Sequence, residues 1–206
     1  MNNLISSKTF NSQLFSKKVF SKGEKEKLIQ TVAELDGAIQ YWILSEGLNL
    51  YKGTVIKFKT FGVTDVPYVS DILFGDNGVD RGSRLYLDNF SGDGAVLRSR
   101  SSAIEATVDG LNIQYYPVDG EEHLVVGVVM ADKFYLDSIG AINGGEDYFF
   151  PGAIYDLSIS LPDGRTITLP LTNKNEGANQ TSPDSNLKAF LVNFTAAVWR
   201  DKAQSK

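Results

Sequence analysis

Residues 153–171, AIYDLSISLPDGRTITLPL, leave the chain little choice of local structure. Tyr155, Leu157, Ile159 and Leu161 alternate with polar residues before Pro162-Asp163-Gly164, and Ile167, Leu169 and Leu171 alternate after it. A period of two gives each arm one apolar face. Proline presets the first turn dihedral and glycine accepts a positive φ. The segment predicts a β-hairpin.

The same texture recurs upstream. TVIKFKTF (54–61) sets Ile56 and Phe58 against Lys57 and Lys59, and further strands are predicted at 84–89, 95–101, 103–108, 111–116, 123–130 and 133–137. Asp109-Gly110 and Asp119-Gly120 mark two more turns. Ahead of the strands, Ser21 and Glu24 have capping-box spacing, and Leu28, Val32, Leu35, Ile39 and Trp42 are spaced 4, 3, 4, 3, with Gly47 as a stop. This predicts a helix over 22–46. At the other end, Ser182-Pro183 reads as a cap and first helical residue before Leu187, Phe190, Leu191, Phe194 and Val198, which predicts a helix over 183–200; a strand alternation through Phe190, Val192 and Phe194 competes with it. The expected fold is mainly β with α: an antiparallel β-sandwich or barrel, one domain over 21–206 with strands across about 54–171, flanked by a long N-terminal helix and a C-terminal helix and preceded by an extended arm, residues 1–20.

Composition excludes several chemistries. With no cysteine, disulfides, thiolate metal sites and cysteine nucleophiles are out. His123 is the only histidine, so a multi-histidine zinc site is impossible; beside Glu121 and Glu122 it reads as a surface residue at a strand entry. No phosphate-loop, nucleophile-elbow or dinucleotide-binding motif occurs. No window approaches the roughly 18 apolar residues of a membrane span, and the N-terminus lacks a secretory apolar core. No cofactor and no membrane partner is expected, and the expected location is a virion or the cytoplasm.

Asp71, Asp76, Asp80, Asp88 and Asp93 fall between glycines, as in oxygen-ligand calcium loops, and the last four are the weak calcium candidates. From Asn89 an EF-hand register places Asn89, Ser91, Asp93 and Gly94 well but ends on Arg100 rather than Glu. Arg98 and Arg100 suit pairing with carboxylates within the protein or across a subunit boundary. Glu46, Glu105, Glu146 and Asp147 could supply an acid pair for glycoside hydrolysis, and Tyr115, Tyr116, Tyr148 and Phe149 could stack on sugar rings.

The arm carries Leu4, Ile5, Phe10, Leu14, Phe15, Val19 and Phe20 among lysines that include Lys17 and Lys18. Residues 1–27 hold six Lys against two Glu, +4, which leaves −9 of the net −5 for the rest. The acidic body would repel nucleic acid, which only the basic arm could attract. An apolar, basic arm on an acidic body is suited to lying along a neighbouring subunit. The sequence therefore points to a non-enzymatic structural subunit of an oligomeric assembly, such as a capsid shell, decoration, connector or phage tail protein, whose partners are copies of itself or other subunits. Two other readings stand beside it: a glycan- or protein-binding β-sandwich module using aromatic and acidic loops, and an acid-pair glycoside hydrolase.

Overall fold

The computed structural model describes residues 29–75, 83–141 and 148–203. In chain order its strands are β1 (Ile29–Asp36), β2 (Tyr41–Tyr51), β3 (Val55–Phe61), β4 (Val69–Gly75), β5 (Ser83–Asp88), β6 (Val96–Ser99), β7 (Ile104–Val108), β8 (His123–Val129), β9 (Lys133–Ile139), β10 (Pro151–Ser160), β11 (Thr166–Leu169), β12 (Asn179–Thr181), β13 (Lys188–Val192) and β14 (Trp199–Ala203). They form two antiparallel sheets, one ordered β14-β1-β10-β3-β8-β7 with β11 added to β10, the other β12-β13-β2-β9-β4-β5-β6. Neither sheet closes into a barrel. One hydrophobic core joins them: Val32, Ile56, Phe58, Val125 and Ile159 from the first sheet meet Trp42, Leu50, Leu73, Leu85, Phe134 and Leu136 from the second. Burying a side chain such as Phe58 or Phe134 contributes about 1.5–3 kcal/mol each.

The hairpin at 153–171 is present, with Leu157 opposite Leu169 and Ile159 opposite Ile167. In β3, Ile56 and Phe58 are buried and Lys57 is exposed, as alternation requires. The strands expected at 84–89, 95–101, 103–108, 123–130 and 133–137 correspond to β5, β6, β7, β8 and β9. Residues 111–116 do not form a strand; only Leu111 bridges back to Val108 across the Asp109-Gly110 turn. β4 carried no sequence signal of its own, being a nearly continuous buried run.

Both terminal helices are corrected. From residue 29 the supposed N-terminal helix is two strands, β1 and β2, broken by a turn in which Asp36 Oδ1 accepts the backbone N–H groups of Ala38, Ile39 and Gln40 (2.9, 3.0 and 3.1 Å). The 4-3-4-3 spacing was coincidental: Ile39, on the supposed apolar stripe, is exposed. Pairing across the molecule overrides it, β1 with β14 and β10, β2 with β13 and β9. At the other end, Ser182 donates to Asp184 Oδ1 (2.6 Å) and its N–H to the Leu187 carbonyl (2.9 Å), so the residues read as a helix cap make the turn between β12 and β13. The competing strand reading holds there, but with the faces exchanged: Ala189 and Leu191 point into the core and Phe190 is exposed. Helical geometry among the described residues is confined to three single 3-10 turns, and none of it is long and apolar enough to cross a membrane. The arm, residues 1–20, and its proposed contact residues lie outside the described residues, as does the Ser21 capping box.

Candidate binding site

Three segments meet at a pocket of about 380 Å³ lined by Gly37, Ala38, Pro67, Tyr68, Val69, Tyr148 and Phe149. The Asp36 turn supplies the first wall. Burial works against its charge, but the three N–H donors prevail and hold the Asp36 pKa below the usual carboxylate value. The second wall is the loop before β4, fastened by Asn89: its side-chain amide donates to the Val66 carbonyl (3.0 Å), its backbone N–H donates to the Tyr68 carbonyl (2.8 Å), and its Oδ1 accepts the Gly94 N–H (3.3 Å). Tyr68 packs against Phe90 with ring centroids 4.6 Å apart, yet both stay in solvent, 57% and 68% exposed.

The third wall is the segment leading into β10. The Tyr148 carbonyl accepts the Asp71 N–H (2.7 Å), and Phe149 leans on Tyr41 with centroids 6.0 Å apart. Behind Tyr148 the Arg84 guanidinium lies 5.0 Å from that ring and 4.8 Å from the Tyr86 ring, a cation held between two π faces. Arg84 Nε donates to Asp71 Oδ1 (2.9 Å). The Asp71 carboxylate is wholly buried, and burial pushes its pKa up to about 6 despite the neighbouring guanidinium.

Tyr68 and Tyr148 share a costly backbone. Their φ values are +47° and +67°, the left-handed region that a bulky residue enters at a cost of about 1–3 kcal/mol. Two aromatic residues held this way in one pocket, each by a hydrogen bond to its own carbonyl, are placed by the surrounding structure rather than by local preference.

His123 is neither exposed nor free. At the entry to β8 it is 9% exposed, with Nδ1 2.7 Å from Asp109 Oδ2 and Nε2 3.0 Å from Asp119 Oδ1. Burial disfavours the imidazolium, but the two carboxylates outweigh it and raise the His123 pKa. With both nitrogens turned to carboxylates, the ring offers no free lone pair to act as a general base. The two aspartates are those of the Asp-Gly turns; a lone histidine four residues after the second was the available signal, and turn chemistry concealed it.

In the first sheet, buried Lys202 contacts the Glu122 carboxylate and donates to the Tyr155 hydroxyl (3.0 Å), and Tyr155 also donates to Glu122. Lys59 lies 3.2 Å from Asp156 and 4.0 Å from Glu122, extending the cluster along β3 and β10. Burial opposes the Glu122 charge, but Lys202 and Tyr155 prevail and lower its pKa. These groups satisfy one another and tie β14 to β3 and β10. A second cleft, of about 490 Å³, lies beside β1, where Arg200 Nε meets Glu34 Oε2 at 3.2 Å and Asn193 donates to the Ile39 carbonyl at 2.9 Å.

Searches against protein-family models, curated proteins and solved structures find no match to this chain. Of the aromatic residues read as sugar platforms, Tyr148 and Phe149 line the pocket, Tyr115 is exposed elsewhere and Tyr116 is buried. Of the acid candidates, Glu46 and Glu105 stand on different sheets, while Glu146 and Asp147 lie outside the described residues. Of the calcium candidates, Asp88 is taken up by Arg98 (2.8 Å) and the Phe90 N–H (3.0 Å), Asp93 sits in the loop before β6, and Asp76 and Asp80 lie outside the described residues. Among the described residues no group of three or more His, Asp or Glu is placed to hold a metal ion. Arg98 thus pairs within the protein, whereas Arg100 lies in a 3-10 turn rather than on the strand. Tyr68 and Phe90 were missed because isolated aromatics in a loop carry no period.

Proposed function

We propose that this chain is a non-enzymatic recognition module whose Tyr68–Tyr148 pocket binds a neutral saccharide. The observation that carries the reading is the pair of tyrosines held at positive φ on facing walls of one pocket, with Phe90 extending the aromatic surface. A sugar ring has a face of weakly positive C–H groups and a rim of hydroxyls. A tyrosine offers a negative π face and one polar handle, which matches both. A volume of about 380 Å³ suits one or two sugar units. A neutral ligand is favoured because the nearby guanidinium of Arg84 is already balanced by Asp71, and the chain as a whole is acidic.

The test is a glycan array followed by calorimetry on the full chain. Tyr68→Ala and Tyr148→Ala should each weaken binding about tenfold, or ~1.4 kcal/mol, with circular dichroism unchanged. Binding confined to peptides, or saccharide binding that both alanine variants retain, overturns the assignment.

The charge split of +4 against −9 favours a second role, as a subunit of an oligomeric assembly such as a capsid or tail, with the basic arm lying on an acidic neighbour. Light scattering of the full chain beside one lacking residues 1–20 decides it: higher oligomers that depend on the arm support this role, and monomers in both exclude self-assembly through the arm under the conditions used.

A further inference from the structure

The β7–β8 connection, residues 109–122, leaves β7 through Asp109 and returns to β8 just after Asp119. Its turns expose Leu111, Tyr115 and Val118. Parts of it are fixed by the backbone: Tyr116 N–H donates to the Ala95 carbonyl (2.6 Å), Gly62 N–H to the Gly120 carbonyl (3.2 Å) and Gly120 N–H to the Val63 carbonyl (2.9 Å). At its base Asp109 N–H donates to the Leu124 carbonyl (2.8 Å), and the His123 side chain joins Asp109 to Asp119.

A neutral imidazole has one N–H and one lone pair, whereas an imidazolium has two N–H groups. Each ring nitrogen here faces a carboxylate oxygen, so only the imidazolium satisfies both contacts. We propose that His123 is a proton-operated staple: protonated, it ties Asp109 to Asp119 across the base of the loop, and on losing one proton it keeps Asp109 and releases Asp119. Asp109 is the end that stays because its other oxygen is fixed by the Leu124 N–H (2.9 Å) and its contact with the ring is the shorter. Asp119 is half in solvent, and its remaining bond is local, to the Glu121 N–H (2.9 Å).

The other groups around the ring do not replace that proton. Tyr116 meets it edge-on at 5.9 Å, and burial keeps its hydroxyl in the neutral form. Glu122 is turned to Lys202, with Lys59 at 4.0 Å. From β3, Thr60 contacts the Tyr116 hydroxyl and the His123 carbonyl (3.4 Å) through an uncharged group.

The test is a nitrogen-15 NMR titration of the full chain, which has a single histidine, from pH 5 to 10. The midpoint should lie above the ordinary imidazole value of 6.5, with both ring nitrogens protonated on its acid side. Past the midpoint the Nδ1–H tautomer should appear. The Gly120 and Glu121 amides should move with the same midpoint while the Leu124 amide holds. Asp119→Asn, a change at an exposed side chain, should shift the midpoint down and remove the coupled movement. A midpoint at or below 6.5, an Nε2–H tautomer past the midpoint, or a midpoint that Asp119→Asn leaves in place overturns the proposal.

Discussion

At the residue scale, two buried ionisable groups, His123 and Asp71, both hold a proton more tightly in the native state, so both stabilise less as pH rises. The folded-state pKa of His123 lies above its unfolded value, so its stabilisation is complete below about pH 6.5 and is lost as pH rises through the folded value. Asp109 and Asp119 are the other halves of the same contacts. Burial opposes the Asp109 charge but the His123 hydrogen bond prevails, and at Asp119 that hydrogen bond is the largest influence; both pKa values are lowered, and acid removes the same contacts once pH falls through them. Asp71 differs from those two aspartates and shares the sign of His123. Its native pKa is about 6 against an ordinary 3.8, so the native state holds the proton more tightly and stability rises as pH falls from about 6 toward 3.8. Arg84→Met should therefore destabilise the protein by about 3–5 kcal/mol at pH 8, since it leaves a buried carboxylate unpaired. Part of that loss should return at pH 4. Urea unfolding at the two pH values checks both statements; an equal loss at each would mean that the Asp71 carboxylate is not what the arginine supports.

At the scale of single elements, pairing partners decide more than local pattern does. The strands β1 and β2 contain Thr31, Val32 and Ile43, whose branched side chains favour extended structure, and Asp36-Gly37 between them is a turn signal. The stripe over Leu28–Trp42 nevertheless matched a helix. In β10 a bulge between Tyr155 and Ser158, with Asp156 at φ +52°, lets Tyr155 pair with Lys59 while Tyr155, Leu157 and Ile159 all stay buried in the core. At the end of β4 the chain passes so close to β9 that a Cβ on Gly75 would sit 2.0 Å from the Tyr135 carbonyl oxygen, a backbone atom that cannot swing aside. Gly75→Ala should cost about 2–3 kcal/mol or prevent folding, read from the urea midpoint. Wild-type stability in that variant would show that the close approach of β4 to β9 relaxes freely.

At the scale of the whole molecule, the two ends of the described chain meet: Val32 pairs with Arg200 and Ala33 with Trp199. The last strand closes one edge of the first sheet and brings Lys202 to Glu122. A chain ended at Val198 should lose the cooperative thermal transition, because β1 becomes an open edge and Glu122 and Tyr155 lose the Lys202 ammonium. A melt by circular dichroism that keeps the full-length midpoint would show that β14 adds nothing. Pairings this distant in sequence also predict refolding in milliseconds to seconds rather than microseconds, which stopped-flow fluorescence of Trp42 and Trp199 can follow.

The amino-acid sequence by itself determined the hairpin at Pro162-Asp163-Gly164, the half-buried strands such as β3 and β8, and the turns at Asp109 and Asp119. In each, the period of two or the turn chemistry is complete within a few residues. Only the tertiary structure decided that β1 and β2 stand over 29–46, and β13 and the start of β14 over 183–200, in place of helices, since a stripe spaced 3 and 4 is compatible with helix until a partner strand supplies its hydrogen bonds. It alone also brought two turn aspartates to His123 and two tyrosines at positive φ to one pocket. Those arrangements depend on residues far apart along the chain, and the sheets supply the geometry that joins them.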